Sequence, residues 1–422
     1  MDNGQLTIDN APISARHARL GDMPTAAYKR TEAGVIPEDW EVYPLGQVVE
    51  FLDGQRCPVK SSDRAKMAGI FPYYGASGIV DYVNDYLFDE DLILLGEDGE
   101  NILSRNTRLA FRVSGKVWVN NHAHVLRPKT GIDIGYLTEY LESLDYAEYN
   151  SGTAQPKLNK QTCARIPVTL PPPNEQRAIA EALSDVDGLI GALEKLIAKK
   201  RAIKQAAMQQ LLTGKTRLPG FSGEWETVQV GEIASVKTGP FGSALHERDY
   251  VDDGTPIITV EHLGEFGVIH NNLPRVSDSD RRRLDSYSLQ VGDIVFSRVG
   301  SIDRNALIRP AEERWLFSGR ILRVRPERAR VFPAYLSYHF HNEPFKARVR
   351  EVAVGQTMAS LNTRILQGIE VTLPSLPEQV QIATVLSDMD AEIAALERRR
   401  DKTKQIKQGM MQELLTGRTR LV

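Results

Sequence analysis

Basic side chains are unevenly distributed along this chain of 422 residues. In residues 275–350, Arg and Lys outnumber Asp and Glu by roughly 16 to 9, whereas acids lead by roughly 17 to 10 in residues 40–150. Guanidinium groups can donate paired hydrogen bonds to phosphate oxygens and to base edges, so we expect the basic segment to contact a polyanion. The acidic segment carries clusters at Asp89–Asp91 and Glu97–Glu100. We expect these clusters to face away from such a partner, or toward a protein.

No motif in the sequence predicts catalysis. Gly214-Lys215-Thr216 imitates the end of a phosphate-binding loop, but the glycine required five residues earlier is Gln209. No Gly-x-Gly-x-x-Gly follows a strand-like segment, so the usual glycine turn of nucleotide and S-adenosylmethionine sites is missing. We therefore predict no catalytic and no cofactor-binding residue in this chain.

Two histidine pairs have a spacing that could place both rings on one face of a strand. His122 and His124 stand two residues apart, and so do His339 and His341. A metal pair is an open alternative, but no Cys or well-placed carboxylate supports it, so we predict no metal ligands.

Composition limits the class of protein. Hydrophobic residues make up 41% and charged residues 25% of the chain, which is enough for two or three globular units. No apolar run is long enough for a membrane span, and residues 1–11 lack an export signal. Cys57 and Cys163 are too few for a disulfide framework. We expect a cytoplasmic protein with reduced thiols and no membrane partner.

A long segment of the chain occurs twice. Residues 152–218 return without a gap as residues 355–421, with roughly half the positions identical, and such a match marks a repeated structural unit. We call these the constant segments. Each follows a longer and dissimilar variable segment, and the two variable segments open alike at Trp40-Glu41 and Trp225-Glu226.

Each constant segment predicts one long amphipathic helix. Pro171 to Pro173 cannot lie inside a helix, Asn174 is a good N-cap, and Gly214 and Gly417 stand where a terminal glycine ends a helix. A helix of about 38 residues is some 55 Å long. Apolar residues alternate in steps of three and four along both copies, which is typical of a coiled-coil seam. The seam residues are Ile179, Leu183, Val186, Ile190, Leu193 and Ile197, and then Ile382, Leu386, Met389, Ile393 and Leu396.

The variable segments predict mixed α/β domains. Short apolar runs bounded by Gly, Asp and Asn predict strands, and two stretches carrying aromatics predict short helices at 136–144 and 333–341. The predicted strands include 92–95, 116–119, 257–260 and 293–296. Because each long helix follows a globular segment through a short link, we expect the two helices to pack antiparallel. The predicted fold is α/β (α+β), with two globular domains separated by two long antiparallel coiled-coil helices in a pseudo-twofold internal repeat.

Two similar heads at a fixed separation suit a target with two separated half-sites, such as successive major grooves of B-DNA. Cations and aromatic side chains of the variable segments are the candidates for DNA contact. In the first variable segment they are Lys60, Arg64, Tyr73, Tyr74, Arg105 and Arg108. In the second they are Arg281, Arg282, Arg283, Arg298, Arg304 and Arg320.

Several strings in the chain resemble the specificity (S) subunits of type I restriction-modification systems. They include Gly34 to Glu41, Leu211 to Phe221, and Leu361 to Arg364 followed by Pro377 to Gln379. The likeness extends from Gly34 to Leu421. It implies a target recognition domain (34–170), a central conserved helical region (171–216), a second target recognition domain (217–373) and a C-terminal conserved helical region (374–422). Residues 1–33 are an extra polar N-terminal tail outside the resemblance.

The resemblance also implies a function and partners. Each target recognition domain is expected to read one half of a bipartite double-stranded DNA site, and the helices are expected to set the spacing. Two modification subunits would methylate adenine with S-adenosylmethionine. Restriction subunits would use ATP and Mg to cleave DNA. The specificity subunit itself would bind none of these cofactors and would not be an enzyme.

Two other functions stay open at this stage. One is a self-contained DNA methyltransferase with divergent motifs. The other is a coiled-coil scaffold whose heads bind proteins.

Overall fold

A computed structural model describes residues 28–152, 154–240, 245–265, 267–353 and 360–421. These residues fold as two compact units. The first unit contains residues 28–194 and 399–421, and the second contains Lys195–Arg398. Each unit therefore combines one variable segment with parts of both constant segments.

The first unit begins with a hairpin that reaches into the predicted tail. Residues 28–31 pair antiparallel with residues 34–37, whereas residues 1–27 of the predicted tail lie outside the described residues. The strands of this unit are β1 (Tyr28–Thr31), β2 (Gly34–Pro37), β3 (Glu41–Pro44), β4 (Val49–Phe51), β5 (Ala68–Gly75), β6 (Gly78–Val83), β7 (Phe88–Asp89), β8 (Leu92–Gly96), β9 (Ala110–Val113), β10 (Lys116–Val119), β11 (Ala123–Pro128) and β12 (Pro167–Leu170). Its helices are α1 (Leu45–Val48), α2 (Ser61–Arg64), α3 (Asn101–Ser104), α4 (Ile134–Ser143), α5 (Lys160–Cys163) and the first part of α6 (Pro173–Leu211).

The second unit contains the rest of α6 and most of the remaining elements. Its strands are β13 (Glu226–Gln229), β14 (Ala234–Thr238), β15 (Tyr250–Val251), β16 (Thr255–Ile258), β17 (Arg275–Val276), β18 (Ile294–Ser297), β19 (Asn305–Leu307), β20 (Leu316–Phe317), β21 (Ile321–Pro326) and β22 (Glu370–Leu373). Its helices are α7 (Val230–Ile233), α8 (Asp278–Arg283), α9 (Pro333–His341), α10 (Glu343–Val352), α11 (Thr363–Gln367) and the first part of α12 (Leu376–Leu414), whose last part belongs to the first unit.

Both units contain the same two sheets. An antiparallel sheet has the order β4-β11-β8-β9 in the first unit and β14-β21-β18-β19 in the second. A second four-stranded sheet is mixed and has the order β6-β5-β10-β7 or β15-β17-β16-β20; we call it the small sheet, because its strands in the second unit have only two to four residues. Each copy contains one parallel pair, β5 with β10 and β16 with β20. The predicted mixture of helices and sheets is confirmed. The predicted strands overlap β8, β10, β16 and β18, and the predicted short helices correspond to α4 and α9.

Strand β8 shows why a continuous apolar run forms a strand here. Alternate side chains point to opposite faces of a sheet. Ile93 and Leu95 pack in the core that contains α4, whereas Leu92 and Leu94 pack in a second core against the small sheet. Both faces of β8 are therefore buried, and no polar alternation is needed.

The two long helices have 39 residues each. Helix α6 begins at Pro173, so the predicted N-cap Asn174 is already its second residue, because proline fits the first helical turn. Gly214 and Gly417 follow the helix ends with φ of 69° and 70°, and the predicted terminal glycines are confirmed.

Each unit is completed by the far end of the other repeat's helix. In the first core, Ile179 and Leu183 pack with Leu414 and Leu415. The core of the second unit repeats this arrangement, with Ile382 and Leu386 packed against Leu211 and Leu212. Among the other predicted seam residues, those that are buried are Ile190, Leu193, Ile197 and Ile393, and those that are half-buried are Val186, Met389 and Leu396.

Ion pairs give the direction of the helical segments within each unit. In the first unit, residue numbers fall along α6 as they rise along the C-terminal segment, so the two segments are antiparallel. The pairs are Glu194 with Lys404 at 2.7 Å, Asp187 with Lys407 at 2.6 Å, and Glu175 with Arg420 at 2.7 Å. The second unit contains the same pairs at positions that differ by 203 residues (175 to 378, 420 to 217). They are Arg201 with Glu397, Lys204 with Asp390, and Arg217 with Glu378.

The C-terminal segment is held to the first unit by a buried carboxylate. Glu175 is 1% exposed, and its two oxygens accept hydrogen bonds from Arg420 and from the indole Nε1 of Trp40, the latter at 3.1 Å. Arg420 also pairs with Asp39, and this hydrogen bond lowers the pKa of the Asp39 carboxyl. Removing one partner of a buried charged pair leaves the other unpaired, and such changes are strongly destabilising.

A buried histidine joins three segments of the first unit. His124 Nδ1 lies 2.7 Å from Asp53 Oδ2, and its Nε2 donates to the carbonyl oxygen of Leu158 at 2.9 Å. The backbone N–H of Val125 donates to the other oxygen of Asp53. Burial alone would lower the pKa of His124, but the hydrogen bond to Asp53 raises it to about 10. The ring is therefore a buried cation with both nitrogens donating.

No helix among the described residues is both long enough and apolar enough to cross a membrane.

Leu415→Ala should destabilise the first unit and Leu212→Ala the second. Both side chains are almost inaccessible, and truncating a buried leucine to alanine costs about 2–5 kcal/mol. Hydrogen exchange of the full-length chain, followed by mass spectrometry, resolves the two units, and each variant is the matched control for the other. Faster exchange confined to the second unit in Leu415→Ala would contradict the assignment of the C-terminal helix end to the first.

The stabilisation that His124 provides should decline at alkaline pH. Because its folded-state pKa of about 10 lies above its ordinary value of 6.5, the stabilisation is complete below about pH 6.5 and is lost as pH rises toward 10. The difference in unfolding free energy between the wild type and His124→Gln should amount to a few kcal/mol at pH 6 and shrink by pH 9. His122→Gln, at an exposed ring, is the control. A difference that stays constant from pH 6 to pH 9 would exclude a buried imidazolium.

Candidate nucleic-acid interface

Three predicted arginines gather where the strands of the second unit end. The loop between β18 and β19 contains Arg298 and Arg304, and the loop between β20 and β21 contains Arg320. The N–H of Arg298 donates to the carbonyl oxygen of Arg320 at 3.0 Å, and the N–H of Ser297 donates to that of Arg304 at 2.8 Å. We call Arg298, Arg304 and Arg320 the arginine edge.

The charges of the arginine edge are not neutralised by described acids. Arg320 is exposed, and its guanidinium has no partner among the described residues. Within the described ranges, the guanidinium groups of Arg298 and Arg304 donate only to carbonyl oxygens, of Gly319 and Leu263. The adjacent Asp303 pairs with Arg350 at 2.7 Å. Carbonyl partners orient a guanidinium without cancelling its charge, so this edge can bind phosphate or the acceptor atoms of a guanine.

The predicted arginine triplet lies elsewhere in the second unit. Arg281, Arg282 and Arg283 end α8, directly after β17. Strand β17 pairs with the first residues of β16. The arginine edge lies beyond the last residue of β16, Ile258, whose carbonyl oxygen accepts from the N–H of Ser318. The triplet and the arginine edge are therefore at opposite ends of the small sheet.

Two predicted residues of the first unit support its own scaffold. Arg64 donates to Asp81 at 3.0 Å and to the carbonyl oxygen of Val59 at 2.6 Å, and it lies over the ring of Tyr73. Tyr73 is only 1% exposed and its hydroxyl accepts from the N–H of Val59, so the ring is a packing element of the core. Contact of this ring with DNA would require the hairpin of β5 and β6 to open.

Two other predicted arginines of the first unit pair with its carboxylates. Arg105 pairs with Glu142 at 3.1 Å. Arg108 pairs with Glu139 and, at 3.3 Å, with Asp187. Although burial opposes the charged form, these carboxylates raise the pKa of Arg108. Both side chains therefore join the connection between α3 and β9 to helices α4 and α6.

The remaining candidates of the first unit are Lys60 and Tyr74. Lys60 is exposed, and its ammonium group has no partner among the described residues. Tyr74 is half-buried against Phe111, and burial raises the pKa of its hydroxyl.

The first unit has an edge that is equivalent to the arginine edge. The N–H of Glu97 donates to the carbonyl oxygen of His122 at 2.8 Å, just as the N–H of Arg298 donates to that of Arg320. The carbonyl oxygens of Glu97 and Arg298 accept from the N–H groups of Leu158 and Leu361, which are equivalent positions of the repeat. Glu97 and His122 therefore occupy the places of Arg298 and Arg320.

Glu97 and Asp98, the acidic groups at this first edge, each have a basic side chain as a partner. Glu97 lies 2.6 Å from Arg56 and 3.4 Å from Lys157, and Asp98 lies 2.8 Å from the ring of exposed His122. Sequence reasoning did not identify these residues as a site. The feature that could have identified them is their position directly after β8. The equivalent strand of the second unit, β18, directly precedes Arg298 of the arginine edge.

The two histidine pairs lie in different surroundings. His122 faces Asp98 at the surface, whereas His124 is buried with Asp53. Burial lowers the pKa of His339 to about 4 and that of His341 to about 3. No group of three His, Cys, Asp or Glu residues that could hold a metal occurs among the described residues.

Comparison with known proteins gives the family. The family model described as "Type I restriction modification DNA specificity domain" matches residues 37–205 and again residues 222–408. The MjaVIII type I restriction enzyme specificity subunit of Methanocaldococcus jannaschii is 23% identical over 420 residues, covering 92% of this chain and 94% of that protein. A putative type I restriction enzyme specificity subunit of Haemophilus influenzae is 27% identical over 358 residues, covering 83% and 87%.

A solved structure shares the fold. The S subunit of a type I restriction-modification system from M. genitalium has a TM-score of 0.60 with this chain at 14% identity, and the match covers 89% of this chain and 96% of that one. The two family matches together include most of the chain, and each includes one variable segment. The chain therefore belongs to the type I restriction modification DNA specificity family and is a specificity subunit, the DNA-recognition and non-catalytic part of such a system.

Proposed function

We propose that each unit reads one half of an interrupted DNA sequence, and that the second unit does so with the arginine edge. The observation that carries this proposal is the convergence of Arg298, Arg304 and Arg320 on one edge without acidic partners among the described residues. Arginine bound to the two acceptors of guanine is the commonest specific contact in the major groove. Loops at the end of a rigid sheet can present such side chains in a fixed geometry.

The two long helices are proposed to form an antiparallel coiled coil that relates the units by a pseudo-twofold axis. Support comes from the antiparallel ion pairs within each unit and from their recurrence at positions that differ by 203 residues (187 to 390, 407 to 204). Such helices would fix the separation of the two units and thereby the gap between the half-sites. A cytoplasmic location agrees with this role and stays a prediction.

The catalytic partners are also part of the proposal. Two modification subunits would supply adenine methylation with S-adenosylmethionine, and restriction subunits would supply ATP- and Mg-dependent cleavage. This chain would direct both reactions to the bipartite site without binding these cofactors. The family membership supports the proposal.

The two alternative functions have simple tests. Binding of S-adenosylmethionine to the isolated chain would favour a self-contained methyltransferase. A gel shift that stays negative when the modification subunit is added would favour a protein-binding scaffold.

Arg298→Ala and Arg320→Ala should weaken DNA binding by the chain in complex with its modification subunits. A residue that contacts a base should lose about 1–3 kcal/mol and relax one position of the second half-site, whereas a phosphate contact should reduce the salt slope by about one. Titrations of a labelled duplex at several salt concentrations distinguish these outcomes.

Arg348→Ala is the matched control, because this exposed arginine of α10 pairs with Glu351 on the same helix. Affinity and salt slope that remain at wild-type values in both Arg298→Ala and Arg320→Ala would refute the assignment of the arginine edge to DNA.

A further inference from the structure

The equivalent edges of the two units differ in chemistry. Where the second unit has Arg298 and Arg320, the first has Glu97 and His122 in the same backbone hydrogen bond. Glu97 is only 13% exposed and is held by Arg56 and Lys157. Asp98, which pairs with exposed His122, has the more exposed carboxylate of this edge at 24%.

A hairpin with an apolar surface adjoins this pair. The turn between β5 and β6 packs closely on the edge, since a β-carbon at Gly96 would lie 2.9 Å from the carbonyl oxygen of Ala76. The N–H of Asn120 donates to the carbonyl oxygen of Tyr74 at 3.1 Å. Ile79, which pairs with Tyr74, is 48% exposed, and the adjacent Val80 is 58% exposed.

The equivalence of the edges suggests what these groups would meet. In the second unit, Ser318 bonds to Ile258 as Asn120 bonds to Tyr74, so the end of the small sheet adjoins the edge in both units. If the arginine edge contacts the major groove, the first edge is presented to DNA by the same backbone arrangement. The guanidinium of Arg56 donates to the carbonyl oxygen of Ala123, and the N–H of Cys57 donates to that of Val119. These bonds attach the segment that leads to exposed Lys60 beside this edge.

We propose that the first unit reads its half-site through Asp98 and the surface of Ile79 and Val80, with cytosine and thymine as the bases contacted. A carboxylate accepts a hydrogen bond from cytosine N4, and small apolar side chains contact the thymine methyl group. His122 holds the Asp98 carboxylate in place through the hydrogen bond at its Nδ1. The inference rests on the proposed function, and it assigns different base classes to the two half-sites.

The proposed contact of Asp98 with DNA differs from the expectation that the acidic clusters face away from DNA or toward a protein. Two cations, Arg56 and Lys157, accompany the carboxylates of Glu97 and Asp98, so the first edge carries little net charge. The cluster at residues 89–91 is also paired, with Glu90 bound to Arg127 and Asp91 bound to Arg112.

The test selects sequences from duplexes randomised in one half-site at a time, using the full chain with its modification subunits. The wild type should select cytosine and thymine in the half-site of the first unit. This half-site is identified as the one whose selected bases do not change in Arg298→Ala and Arg320→Ala. Asp98→Asn should reduce the preference for that cytosine by roughly 5- to 150-fold and leave the other half-site unchanged. Asp91→Asn is the matched control, since Asp91 is an exposed carboxylate that pairs with Arg112 outside the edge.

A second measurement tests the apolar contact. Replacing the selected thymine by uracil in the DNA removes one methyl group and should weaken wild-type binding roughly fourfold. The same replacement should have no effect on Val80→Ser if Val80 contacts that methyl group. Hydrogen exchange of each variant checks that the first unit stays folded.

The outcomes separate this inference from the proposed function. The inference would be overturned if the wild type and Asp98→Asn selected the same bases in the half-site of the first unit, and if uracil in place of thymine weakened binding of the wild type and Val80→Ser equally. The proposal that each unit reads one half-site would then still stand. Failure of the wild-type complex to select any sequence would overturn both.

Discussion

Each unit of this protein is closed by a helix end from the other repeat, and a buried carboxylate fixes that closure. Glu175 binds Trp40 and Arg420, and at the equivalent position Glu378 binds Arg217. A buried carboxylate without its cation is strongly unfavourable, so each repeat depends on the other for a folded core. The C-terminal segment is thus as much a part of the first unit as the strand that opens it.

This closure gives two copies of one scaffold on which surface chemistry can differ. The sheets, the docking of α4 and α9, and the hydrogen bonds that fix the edge loops recur in both units. The residues carried by those loops do not recur, because only their backbone groups make the shared bonds. Arg298 and Arg320 in one unit and Glu97 and His122 in the other can therefore occupy equivalent places without altering the fold.

Much of the fold followed from the sequence, and less of the site did. The repeat, the apolar periodicity and the terminal glycines predicted both long helices to within a few residues, because these signals are local. Which arginines are free did not follow, since Arg108 pairs with Asp187 and Arg64 with Asp81, and only the fold brings such partners together. Nor did the sequence predict strand β5 at residues 68–75, where adjacent Tyr73 and Tyr74 point to opposite faces of the sheet and Tyr73 is buried.

The separation of the readers is tested most directly by lengthening both helices together. Seven residues that continue the heptads would be inserted after Glu194 and after Glu397, which are equivalent positions of the repeat, with a single insertion as the mismatched control. Methylated adenines would then be mapped in cells that contain the modification subunits. Both half-sites should stay unchanged while the gap lengthens by at most about three base pairs, because seven helical residues add about 10 Å. An unchanged gap, or altered bases in either half-site, would contradict helices that fix the distance between two independent readers.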